Sequence, residues 1–123
     1  MNYIFPTCKS KKVEELNNLI FHSLMNLGFP ISYKGTINFK NVILTGYINT
    51  EKDFGFSSSL KKYCDDNLLN LKTIKSSIFY TFYNINIKKF NENFENVFNY
   101  TIDQSFILPS NLYESFIALL QMS

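Results

Sequence analysis

Few side chains in this 123-residue chain have the type and spacing to carry out a reaction. His22 is the one histidine. Acid–base catalysis or metal binding requires partners held within reach of such a ring. Glu14, Glu15 and Ser23 lie near it in sequence but form no catalytic or metal-ligating pattern, so His22 reads as a solvated helix-surface residue. Asp65 and Asp66 are paired carboxylates, yet adjacent helical residues point about 100° apart and do not converge. Solvation or helix termination accounts for them. Glu92, Glu95 and Asp103 are scattered. Cys8 has no histidine nearby, and Cys64 stands beside two acids that raise a thiol's pKa. Gly28, Gly35, Gly46 and Gly55 make neither a phosphate loop nor a dinucleotide fingerprint. The expectation is a chain with no catalytic residue, no metal ligand and no cofactor: not an enzyme.

Composition narrows the partners. All twelve basic residues are lysine, and net charge is +2. Without arginine the chain lacks the side chain best suited to bidentate phosphate and guanine recognition, so nucleic acid is not expected. The Lys11-Lys12, Lys61-Lys62 and Lys88-Lys89 pairs read as solvated helix or loop ends. A hydrophobic fraction of 46%, with thirteen Phe and eight Tyr, predicts a folded globule. Its length fits a single domain over residues 1–123. No apolar run approaches the ~18 residues of a membrane span. Met1–Pro6 shows no signal-peptide pattern, so a cytoplasmic location with reduced thiols is expected.

The elements that would position a binding surface follow from hydrophobic period. Val13, Leu16, Ile20, Leu24 and Leu27 form a helical stripe, predicting a helix from about Lys11 to Leu27 with Ser10 as N-cap and Gly28 just past its end. Across Leu27-Gly28-Phe29-Pro30 the period changes to two. Ile31, Tyr33, Ile37 and Phe39 alternate with polar residues, predicting a strand with Gly35 as a bulge. Lys40-Asn41 reads as a turn and Val42–Ile48 as a second strand. A helix is expected from about Ser58, capped by Ser57–Ser59 and ending near Asp65-Asp66-Asn67. Ile78–Ile87 reads as a central strand. Phe90, Phe94 and Phe98 hint at a helix, but the longer alternation through Tyr100, Ile102, Phe106 and Leu108 favours a strand over 98–108. Pro109 ends it, and Ser110 caps a last helix with Leu112, Phe116, Leu119 and Leu120 on its buried stripe. The expected fold is α+β: an antiparallel sheet of four to five strands with helices packed on it, in the order α-β-β-α-β-β-α.

Several local strings resemble class I type III secretion chaperones. Leu27-Gly28-Phe29-Pro30 is similar to that family's first-helix end. Val42–Ile48, with its embedded Gly46, resembles its hydrophobic strand, and Asn67-Leu68-Leu69 its middle-helix end. The resemblance implies a cytoplasmic homodimer that holds the N-terminal segment of a secreted effector in extended form before export. It places Leu60, Tyr63, Cys64 and Leu68 at the dimer interface. Phe21, Met25, Ile31 and Tyr33 would bind the partner. The rival expectation is an immunity protein that occludes a toxin's active site, a role often built on an acidic patch.

Overall fold

The computed structural model describes residues 10–49, 54–104 and 107–122. They form six helices: α1 (Ser10–Asn26), α2 (Lys34–Ile48), α3 (Phe56–Asp66), α4 (Leu71–Tyr83), α5 (Ile87–Phe98) and α6 (Pro109–Gln121). Among the described residues there is no strand, which overturns the α+β expectation and its antiparallel sheet.

The first helix follows its stripe. Leu16, Ile20, Leu24 and Leu27 are buried, with Val13 packed at the margin. Its end is a Schellman motif. The Gly28 N–H donates to Met25 O and the Phe29 N–H to Leu24 O, both at 3.0 Å. Gly28 takes φ +96°, a conformation that costs glycine nothing. Ser10, the predicted N-cap, is instead the first residue of the helix, and the residue before it lies outside the described residues.

Helix α2 replaces both strands expected between residues 31 and 48. Its buried residues, Gly35, Thr36, Phe39, Asn41, Val42, Ile43, Leu44, Thr45 and Gly46, surround the axis, and α1, α3, α4 and α6 all pack against it. A segment covered on every side shows no clean helical stripe, so its period says little about its backbone. Lys40 and Asn41 are therefore interior to a helix and make no turn. Two glycines set the crossing distances. A Cβ at Gly35 would run into the Ser77 carbonyl and the Thr81 hydroxyl of α4. One at Gly46 would strike the Tyr113 and Ser59 hydroxyls. Gly35 is thus a close-approach residue within a helix, not a bulge.

The third helix starts at Gly55 as N-cap; the Ser57–Ser59 cap is not used, and Ser59 is buried. It ends at Asp66, as expected near the acidic pair. Leu68 then adopts φ +55°, and the Leu69 N–H donates to Cys64 O at 2.9 Å, another Schellman closure. The strand expected over 78–87 is divided between α4 and the start of α5. Asn70 and Asn86 cap these helices by accepting from the Thr73 and Lys89 N–H groups at 2.9 and 3.0 Å. The strand expected over 98–108 is likewise absent from its described residues, with Phe106 lying outside them. Phe90, Phe94 and Phe98 pack at i+4 spacing along α5, with ring centroids 5.5 and 4.6 Å apart, and Asn99 closes that helix in the left-handed region. Pro109 opens α6 behind Leu108 as N-cap, displacing the predicted Ser110 cap. Leu112, Phe116 and Leu120 are buried there, and Leu119 is half-buried.

Two stability measurements follow. Gly46→Ala should destabilise the fold by about 1–3 kcal/mol in urea titration, because overpacking a helix crossing exceeds the ~1 kcal/mol that alanine gains in a helix. Leu68→Gly should instead stabilise it by about 1–2 kcal/mol, relieving a left-handed leucine whose side chain is 94% exposed.

Candidate functional site

The residues with chemical potential stay apart. His22 is exposed on α1, its ring 6.4 Å from that of Phe21. Asp65 and Asp66 form exposed i,i+4 pairs with Lys61 and Lys62 at 3.3 and 3.0 Å. The Cys64 thiol is buried, and both burial and the neighbouring Asp65 push its pKa up. No group of three His, Cys, Asp or Glu among the described residues could hold a metal ion.

A polar cluster does sit in the core, and it is occupied by its own hydrogen bonds. The Tyr63 hydroxyl donates to Asn38 Oδ1 at 3.0 Å and accepts from Asn41 Nδ2 at 3.2 Å. Asn38 Nδ2 donates to Ser77 Oγ at 3.0 Å, tying α2 to α4. Across the bundle, the Tyr113 hydroxyl donates to Phe54 O at 2.9 Å and shares a 2.6 Å bond with Ser59 Oγ. Such bonds let α2 cross α3 and α6 closely without stranding a buried polar group. They serve the fold.

The outer face of α4 is different. Phe79, Tyr83, Lys72, Lys75 and Ser76 share one arc of the helix, bordered on one side by the buried arc of Phe82, Ile78, Ile74 and Thr81. Tyr80 is 61% exposed and Tyr83 84%. Beside them, Phe79, Phe82, Tyr83, Ile107, Leu108 and Pro109 line a groove of about 300 Å³, at the small end of ligand pockets. The Lys75 ammonium sits over the ring of Phe79, one of the groove's lining residues, 5.9 Å from its centroid. Tyr33 extends the aromatic surface by stacking on Tyr80 at 5.7 Å and 20°.

The expected partner-binding residues divide. Tyr33 joins this surface, and Ile31 is exposed in the same α1–α2 connection. Phe21 and Met25 are half-buried on α1, with the Lys40 ammonium 5.8 Å from the Phe21 ring centroid. Burial lowers the Lys40 pKa. Of the expected dimer residues, Leu60, Tyr63 and Cys64 lie in the core of the protomer, where α2 and its neighbours already cover them. Leu68 alone of the four is exposed. Sequence reading missed Phe79, Tyr80 and Tyr83 as surface residues because the run Ile78–Phe82 was assigned to a strand loaded on both faces. The signal that marks Phe79 and Tyr83 is the i, i+4, i+7, i+11 spacing of Lys72, Ser76, Phe79 and Tyr83.

The buried phenols give the fold an alkaline limit. Burial raises the pKa of Tyr63 and Tyr113 above the ordinary 10.0, so the folded state retains protons that the unfolded chain releases. Their contribution is complete below pH ~10 and is lost as pH rises through the folded values. Tyr113→Phe should cost about 1–2 kcal/mol at pH 7, from the hydrogen bonds lost at Ser59 and Phe54. It should also flatten the fall in thermal stability above pH 10.

Comparison with protein-family models, with curated proteins and with solved structures gives no match to this chain, so the functional reading rests on the α4 face itself.

Proposed function

We propose that this chain is a non-catalytic protein-binding domain that engages its partner through the aromatic face of α4 and the adjoining groove. The observation that carries this reading is the exposure of Tyr80 and Tyr83 beside an apolar groove that Phe79, Leu108 and Pro109 hold open. Leaving these rings in water gains the monomer little. Buried against a partner, each supplies a large, nearly rigid contact at low entropic cost.

Of the two roles expected from the sequence, holding a client segment suits this face better. An unfolded or exported segment presents the isolated apolar side chains that a small groove accepts. The rigid neighbours of α4 mean that the client bears most of the ordering cost. Toxin occlusion drew on an acidic patch, whereas the described acids are dispersed. Glu14 and Glu15 are on α1, Asp65 and Asp66 are paired with lysines on α3, Glu92 and Glu95 are on α5 with Asp103 in the connection after it, and Glu114 is on α6. The α+β architecture implied by the chaperone resemblance is not part of this proposal.

The test is recovery of a partner from native lysate by the tagged chain and by a Tyr80→Ser, Tyr83→Ser double variant. The wild type should retain a protein at fixed stoichiometry, and the variant should lose at least tenfold in affinity, about 1.4 kcal/mol. Equal retention by a folded variant would contradict the reading. Light scattering of the free protein tests the homodimer, whose mass would be twice 14.4 kDa.

A further inference from the structure

We infer that the occupant of the α4 face is an acidic segment of the partner, with an apolar anchor for the groove and carboxylates beside that anchor. This inference rests on the protein-binding reading above and adds the chemistry of the ligand. Charge complementarity carries it. From Asn67 to Asn91 the chain holds four lysines and no acid. Two of these, Lys72 and Lys75, are exposed on the arc that carries Phe79 and Tyr83. Neither forms an ion pair among the described residues, although α3 pairs Lys61 and Lys62 with acids at i+4.

The placement of Lys72 runs against the helix. It lies in the first turn of α4, where the unpaired N–H groups and the macrodipole disfavour a cation and favour an anion. Local stability would put Asp or Glu there. A partner carboxylate at this end meets both the lysine and the positive end of the helix. Between Lys72 and Tyr83 the stripe runs roughly 16 Å at 1.5 Å per residue. A segment lying along it reaches the groove with its apolar anchor and the lysines with its acids. Lys75 sits over Phe79, which lines the groove, so one carboxylate belongs within a residue or two of the anchor.

A second copy of the chain is a poorer occupant, because this stripe has no carboxylate to offer the lysines of its twin. Nucleic acid would bring the charge but no aliphatic anchor for a groove lined by Ile107, Leu108 and Pro109.

The experiment is selection of random dodecapeptides from a displayed library on the immobilised full chain. Selection is repeated on Tyr83→Ser and on a Lys72→Glu, Lys75→Glu variant, each checked for an unchanged circular-dichroism spectrum. The expected winners carry Asp or Glu next to one Leu, Ile or Phe. They lose about tenfold or more in affinity on either variant, and the charge-reversed chain selects basic peptides instead. Should the double variant fail to fold, Lys75→Gln together with weakening of wild-type binding by added salt gives the same information. Winners without acidic bias that still require Tyr83 would overturn this inference and leave the binding face standing. No enrichment over bare support would overturn both. Displacement of the winners by a single-stranded oligonucleotide, or a wild-type dimer that Tyr83→Ser dissociates, would assign the face to nucleic acid or to a second copy and likewise overturn it.

Discussion

Burial of the α2 stretch Asn41–Gly46 from every side is the constraint on which this structure depends. Phe39, Val42, Ile43 and Leu44 each gain about 1.5–3 kcal/mol by leaving water, but only if the backbone carrying them leaves water too. A helix meets that condition within its own ladder, whatever surrounds it. The polar side chains that accompany it are answered locally. Thr45 donates to Asn41 O at 2.8 Å, Thr36 to Pro30 O at 2.7 Å, and Asn41 to Tyr63. Gly35 and Gly46 then let α4 and α6 approach closely. The crossing with α4 is sealed by the Asn38–Ser77 hydrogen bond.

The position of the binding face follows from this arrangement. One arc of α4, with Ile74, Ile78, Thr81 and Phe82, is consumed by the core. Phe82 packs edge-on against Phe29 and Phe39 at 5.0 and 4.9 Å, which locks the rotation of the helix. With that rotation fixed, Phe79 and Tyr83 emerge beside Leu108 and Pro109, and Lys72 and Lys75 lie on the same side. The aromatic face is therefore held by the core, and a partner need not order it. The alkaline lability of Tyr63 and Tyr113 belongs to the interior and leaves the face near neutral pH untouched.

How much of this could be read beforehand depended on where each helix lies. Helix α1 has one wet side, so its stripe and its Gly28 closure were evident from spacing alone. The same holds for the stripe of α6 and for the acidic end of α3. In α2, apolar and polar positions are buried alike, and Ile, Val, Thr, Tyr and Phe carry strand preference that tertiary packing overrides. In α5 the i+4 spacing of Phe90, Phe94 and Phe98 is visible, but the longer alternation beyond it points to a strand. Without the rotation of α4, Tyr80 and Tyr83 could not be told from core. Tyr33, which the resemblance places at a partner surface, stacks on Tyr80, whereas Tyr63 and Cys64, which it places at a dimer interface, are covered within the protomer.

Native-state hydrogen exchange by NMR tests the central claim most directly. With α2 as the enclosed axis of the bundle, the amides from Phe39 to Gly46 should exchange only through global unfolding. They should be the slowest in the chain and show sequential amide–amide contacts along the helix. Fast exchange in this segment, or cross-strand contacts pairing residues 31–39 with 42–48, would contradict the account.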